Sequence, residues 1–395
     1  MRSFTRTTHP TLFLRTSILL VCTAFFFPQL WGCSGEETGA GPQLIPSSGE
    51  EPDPQTTVED EFSVKLTKWY GGHTAAISLT YDHGVRWLSE EERLIQNIVL
   101  EENVPMDFDF TNSDQDEWTA RREYYRDVLI PAGIRMFGHG YEHCNSDTLS
   151  EDAALENFRR CYEDMVASGA RPVAYAYPGG YCWAQSTRQA LAASGFLSGR
   201  RFNAQDHGDP FICPDEELVP DDWYNLPSLV MFSYEFANDP RTIHNTEDLL
   251  PFLDEALNRT AWLITTYHEI KDGPGGTYGV QDFREDIRAI RQRDFWFASF
   301  SDVTLYLRER AAATVRVLPD SPAGTSSIRL LLSDGLSDNI YDHPLTVLLT
   351  VPEYWKGERA AIIQDGVQIA TVIIDSEELL LSLRPNEHPY TLQLL

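Results

Sequence analysis

The chain has 395 residues, long enough for a substantial core and for two domains. It carries 31 Lys and Arg against 60 Asp and Glu, a formal charge of −29. Such an excess of acid argues against nucleic acid, or any polyanion, as the main partner, and leaves the fold open.

Arg2, Arg6 and Arg15 precede the apolar run SILLVCTAFFFPQLWG. That run is too short for a comfortable membrane span, so residues 1–32 read as a targeting segment. It ends in LWGC, which resembles a bacterial lipobox and makes Cys33 the expected lipidation site. The alternative is ordinary secretion with cleavage nearby. In both cases the protein is exported, and with the anchor it is a membrane-bound lipoprotein of the cell envelope. Residues 33–60 are rich in Gly, Pro, Ser and acids, and cannot bury enough surface to fold, so they read as a flexible tether.

Behind the tether, residues 61–312 alternate apolar runs with helical patterns. AAISLTY is a strand, followed by the helix SEEERLIQNIVLEEN. VPMDFDF, GIRMFG and RPVAYAY are further strands, separated by the helices EWTARREYYRDVLI and SEDAALENFRRCYEDMVASG. In the second of these Ser150 is the N-cap and Gly169 the stop. Later come the strands AWLITTY and FWFASF with the helices EDLLPFLDEALNR, FREDIRAIRQR and VTLYLRERAA. This many alternating units predict a parallel sheet closed into a (β/α) barrel. From residue 313 to 395 the pattern becomes strand after strand, with a hairpin signal at Asp365-Gly366, which predicts a small all-β, sandwich-like domain.

Of the six cysteines, Cys22 lies in the targeting run and Cys33 in the lipobox. Cys144, Cys161, Cys182 and Cys213 remain, and in an exported protein they could form two bridges in any of three pairings. No CxxC spacing points to a metal site.

The chemistry gathers where strands end. AAISLTY leads to Asp82-His83, GIRMFG to His139 with His143 four residues on, RPVAYAY to the turn Pro178-Gly179-Gly180, and AWLITTY to His268. In a barrel these ends share one mouth, so the residues would converge. Singly, each has a bland explanation as a cap or a satisfied surface histidine; jointly they point to a metal site. Gly138 and Gly140 favour a loop over a helix for the HxxxH pair.

This ordered set resembles the polysaccharide deacetylases of the NodB-homology type, carbohydrate esterase family 4. TYDHG is similar to their first motif, usually TFDDG; HGYEH to the second; AYPGG stands in place of the third and TYH of the last. The resemblance covers about residues 65–312 and implies a distorted barrel and a metal-dependent hydrolase. It implies that His139 and His143 bind a divalent metal that polarises the acetyl carbonyl and activates water. It implies Asp82 as general base, the Gly179 N–H as an oxyanion donor and His268 as general acid.

The chain departs from that pattern in two places. His83 stands where the family has an aspartate ligand, giving a three-imidazole set that suits zinc. Ala176 stands where the family has an arginine, and Arg200 or Arg201 could take its place, unless both are solvated. Asp221 or Asp222 in PDDWYN could tune His268 or be plain surface charge. The expected activity is removal of acetyl groups, N-acetyl first, from an acetylated polysaccharide or peptidoglycan outside the cytoplasm. O-acetyl ester hydrolysis is the neighbouring alternative, and a degenerate barrel that only binds glycans is the alternative of another class. Tyr354 and Trp355 could form a sugar-stacking platform, although aromatics in a sandwich more often belong to its core.

Overall fold

The computed structural model describes residues 62–85, 88–111, 118–203, 208–231, 242–273, 277–318 and 326–395. The targeting run, Cys33 and the tether lie outside the described residues. Seven parallel strands close into the expected barrel: β2 (Ala75–Asp82), β3 (Met106–Phe110), β4 (Arg135–Gly138), β5 (Ala174–Ala176), β6 (Ser198–Phe202), β8 (Leu226–Met231) and β9 (Trp262–His268). Closure is made by β9 pairing back onto β2, from Ala76 opposite Trp262 to Asp82 opposite His268. The short β7 (Phe211–Ile212) lies antiparallel on β9, and β10 (Phe295–Phe297) parallel on β2.

The two-residue period of each strand sorts its side chains. On β2, Ile77, Leu79 and Tyr81 join the apolar layer under the outer helices, and Leu263 and Tyr267 of β9 do the same. The opposite parity turns Ala76, Ser78, Thr80 and Asp82 inward, together with Trp262, Ile264, Thr266 and His268 on β9. A second apolar cluster, with Ala76, Phe137, Ala174, Trp262 and Ile264, starts there and runs on past the helix after β10. On β2 and β9 the inward side chains near the C-terminal ends are polar, and that end carries the site.

The predicted helices are present with shifted bounds: the one expected from Val303 begins at Phe300, inside the predicted strand FWFASF, and the one expected from Phe283 begins at Val280. The first, α1 (Glu90–Glu101), opens on a capping box in which Ser89 accepts from Glu92 N and the Glu92 carboxylate accepts from Ser89 N. Trp118–Tyr124 (α2) runs directly into a π-turn at Tyr125–Leu129. Next, α3 (Glu151–Ala167) is capped by the Ser150 hydroxyl, and Gly169 takes a positive φ of 86° just beyond it. Further round the barrel are α4 (Gln185–Ser194), α5 (Thr246–Asn258), α6 (Val280–Arg291) and α7 (Phe300–Ala312). The last of these packs against β2, β3, β4 and β5, and its Phe300, Val303, Tyr306 and Leu307 belong to the second cluster. Its first turn is held from within the barrel, because Asp107 of β3 accepts from Phe300 N and Ser301 Oγ at 2.6 and 3.2 Å.

Two sheets follow α7. One has β11 (Thr314–Val317), β12 (Ser327–Ser333), β17 (Tyr390–Leu394), β14 (Arg359–Gln364) and β15 (Val367–Ile373) in that order. The other has β13 (Leu345–Thr350) between β16 (Glu378–Leu383) and β1 (Ser63–Leu66). Their apolar faces share the second cluster, so one core joins the β module to the barrel. Asp365 and Gly366 take φ of 50° and 77°, the doubly left-handed turn that two-residue hairpins favour. The strand β1 was not foreseen: it precedes the barrel in sequence yet pairs antiparallel with β13, Ser63 opposite Thr350.

Two expectations are corrected. Trp355 is fully buried and packs edge-on against Phe62 at 5.3 Å, so it is core and cannot form a stacking platform. The four cysteines are free thiols, not bridges. They sit in different surroundings: Cys161 donates to Phe110 O and Cys182 to Asn225 Oδ1, while Cys144 accepts from Asn157 Nδ2. Burial pushes the Cys161, Cys182 and Cys213 thiols up to about 12.

Candidate active site

Six of the residues nominated above, Asp82, His83, His139, His143, Gly179 and His268, line a single cavity of about 230 Å³ at the C-terminal mouth. Phe202, Val230, Thr266, Glu269 and Thr277 complete its wall.

Asp82 is the last residue of β2 and points inward, 2% exposed. His83 follows in a turn at φ 61°, a left-handed conformation that histidine tolerates better than most side chains. Gly84 completes the turn against Phe108 and Tyr81: a Cβ there would lie 2.6 and 2.7 Å from their rings. The turn is therefore clamped by the apolar layer beneath it, and His83 is aimed at the cavity.

His139 follows β4, and its backbone N–H is held by Phe110 O at 2.9 Å. Its Nδ1 meets Ala176 O at 2.9 Å, which assigns the proton to Nδ1 and leaves Nε2 as the free donor atom. Burial pushes this imidazole down to about 3, so it is neutral, as a metal ligand must be. His143 arrives on a loop, as the flanking glycines predict. Asn157 of α3 pins that loop by accepting from Glu142 N at 2.7 Å and donating to Glu142 O at 3.3 Å.

The ligand atoms offered by His83, His139 and His143 lie within 4.8 Å of one another. His83 Nε2 and His143 Nε2 are 3.1 Å apart. Three imidazoles converging from three segments form a donor set that suits a divalent cation of the zinc type. The His268 ring stands beside them, 4.4 Å from the His83 ring between centroids, at the end of β9. Its backbone oxygen accepts from the Thr277 hydroxyl.

Asp82 and Arg200 form a buried ion pair inside the barrel. Burial acts to raise the Asp82 carboxyl, but the Arg200 guanidinium outweighs it and holds the group below its ordinary value. Of the two arginines considered, Arg200 therefore takes the place beside the base, and neither is solvated. Arg201, 6% exposed, turns the other way and donates to Asn225 Oδ1 at 2.8 Å. The alternation Ser198-Arg200-Phe202 marks the inward parity of β6. Asp222 accepts from Arg188 Nε at 2.9 Å and from Tyr224 N at 2.8 Å, before β8 begins, so it is a surface charge held by an arginine.

Sequence reasoning missed Phe202 and Val230, whose contact forms a small apolar patch separate from the two main clusters. It also passed over Asp109, inward on β3, whose carboxyl is pushed up to about 8 by burial and by the nearby Asp82 and Glu92.

The chain is similar in part to several solved structures, each with a TM-score below 0.5. It is similar to a candidate polysaccharide deacetylase from Mycobacterium smegmatis, with TM-score 0.46 and 20% identity over 62% of this chain and 94% of that one. A candidate polysaccharide deacetylase from Pseudomonas aeruginosa PAO1 matches with TM-score 0.44 and 15% identity, over 61% and 93%. A CE4 family pseudoenzyme from Bacillus anthracis matches with TM-score 0.38 and 13% identity, over 58% and 65%. No protein-family model and no curated protein sequence matches the chain.

Proposed function

We propose that the protein is a metal-dependent hydrolase that removes acetyl groups, N-acetyl first, from a polysaccharide or peptidoglycan outside the cytoplasm. The observation that carries this reading is the convergence of an ionised carboxylate, three mutually close imidazoles and a fourth histidine in one cavity. His83, His139 and His143 would hold the cation. When bound, it would supply Lewis acidity towards the acetyl carbonyl.

The chain's own residues supply the rest. Asp82, kept ionised by Arg200, is placed to take a proton from attacking water, as a weak but fixed base. His268, beside His83 and opposite Asp82 in the β2–β9 register, is assigned delivery of a proton to the departing amine or alkoxide. The Gly179 N–H is the donor assigned to the developing oxyanion. The Phe202–Val230 patch is an apolar wall against which an acetyl methyl can rest. Export and a lipid anchor at Cys33 belong to the same proposal, because such a polymer lies outside the cytoplasm.

The test is acetate release from N-acetylglucosamine oligomers and from acetylated xylo-oligosaccharides, by wild type and by Asp82→Asn and His268→Ala. Release by wild type, reduced at least 100-fold in both variants, supports the hydrolase. Preference for the xylan substrate moves the assignment to an O-acetyl esterase. Binding of either glycan without release, with metal present, assigns a glycan-binding barrel instead.

A further inference from the structure

The turn after β5 continues into the segment Tyr181-Cys182-Trp183, which leaves the cavity wall at Gly179. Tyr181 has extended backbone angles, and the three side chains alternate: Tyr181 is 40% exposed, Cys182 fully buried and Trp183 46% exposed. Two large rings, two residues apart in the chain, therefore face solvent just beyond the cavity wall at Gly179. Among the described residues the only other large aromatic with comparable exposure is Tyr354, in the β module.

Exposed aromatics are ordinarily mobile; these are held. The Tyr181 ring lies against Gly179, where a Cβ would come within 2.5 Å of it. At Trp183 the backbone N–H donates to Asp147 Oδ2 at 2.7 Å, and the carbonyl accepts from Arg188 Nη1 at 3.0 Å. Arg188 also holds Cys182 O at 2.7 Å. Behind the indole, the nearly buried Arg201 guanidinium stands 5.5 Å from the ring centroid. Asp147 further accepts from Ala184 N and the Thr187 hydroxyl, so it ties the segment to the start of α4. A pair of apolar faces held by hydrogen-bonded polar groups and left open to water is organised for a ligand that brings its own apolar face.

We infer that Tyr181 and Trp183 form a stacking platform for pyranose rings of an extended glycan chain, beyond the sugar that enters the cavity. The inference rests on the hydrolase reading only for the direction in which the chain runs. The C–H faces of a pyranose match the two rings, and its hydroxyls remain hydrated at the open rim. The platform makes affinity depend on chain length, because a single sugar fills the cavity without reaching the rim.

The test is calorimetric titration of the metal-loaded protein with N-acetylglucosamine and its pentamer, and with acetylated xylose and its pentamer. Tyr181→Ala, Trp183→Ala and the remote control Tyr354→Ala are compared with wild type, each checked for folding by its thermal transition. Wild type is expected to bind a pentamer more tightly than the monomer. Each platform variant is expected to lose about three- to tenfold of that advantage, and the control none. An unchanged pentamer-to-monomer ratio in both platform variants, or wild type binding neither pentamer, overturns the platform. Acetate release with an unchanged ratio keeps the hydrolase and removes the platform. A lost ratio in a protein that releases no acetate does the reverse.

Discussion

Arg200 reaches across the barrel to donate to Asp82, and both side chains are sealed from water, 0% and 3% exposed. The pair joins the end of β2 to β6, residues 118 apart in sequence. Removing the guanidinium would leave a carboxylate buried without a counter-charge, the costly half of a broken ion pair. Arg200→Met is expected to lower stability by about 3–5 kcal/mol, read as a shift of the urea midpoint at constant slope. Arg200→Lys should recover part of it. Adding Asp82→Asn should restore stability, since the orphaned charge is then gone. An Arg200→Met midpoint equal to wild type would show that the pair contributes nothing to the fold.

Metal stoichiometry tests the histidine cluster without any substrate. After dialysis against trace zinc, the described chain should hold one ion. His83→Ala and His139→Ala should each weaken binding by at least about tenfold, and His268→Ala should leave the stoichiometry at one. Undiminished binding in His83→Ala would remove that residue from the ligand set.

Buried acids, Asp107 and Glu309 among them, give stability a pH dependence. Burial pushes Asp107 up to about 7, and it pushes Glu309 up to about 8 with help from Asp334 and Asp342. Glu309 accepts from His343 N at 2.8 Å where α7 meets the β module. Unfolded carboxyls titrate near about 4, so between about pH 4 and 8 the folded chain binds more protons than the unfolded one. The sign follows: their contribution is complete below about pH 4 and is lost as pH rises through 7 to 8. Glu309→Gln should flatten that fall, gaining on the order of 2 kcal/mol on wild type at pH 9 relative to pH 5. Urea midpoints at the two pH values decide it, and parallel slopes for variant and wild type would refute it.

Thiol counting checks the cysteines. In the chain from residue 62, a thiol reagent at pH 8 should modify Cys144 first, because it is half-exposed while the other three are buried. All four should react in denaturant without reductant. Fewer than four would mean a bridge, and reductant should leave the unfolding temperature unchanged.

Much of this was legible in the sequence because long apolar runs ended on polar residues. Asp82, His139 and His268 could be placed at strand ends for that reason, and His143 followed from its spacing. Arg200 could not be settled, because β6 reads SGRRF, with no apolar run to announce a strand and two adjacent arginines of opposite parity. Its inward direction depends on pairing with β5 and β8, which only the closed barrel defines. The disulfides were inferred from compartment, and compartment does not bring sulfurs together. Trp355 was ambiguous because a short apolar segment carries no period long enough to show which side is covered. Strand β1 was invisible for a related reason: SVKL is four residues long, and what makes it a strand lies far down the chain.

That last pairing has a consequence for how the molecule is made. When Ser63–Leu66 leaves the ribosome, its neighbour Leu345–Thr350 has not been synthesised, and the whole barrel is translated in between. The barrel can close once β9 and β10 have emerged, but the first strand must wait beside it. Joining residue 63 to residue 350 is a contact of very high sequence separation, so it forms late and slowly. A nascent chain stopped at Ala312 would hold a closed barrel whose leading strand has nowhere to dock, and whose lower apolar cluster lacks the leucines of β13 and β16. Completion of the last eighty residues is thus the event that retires the exposed surface.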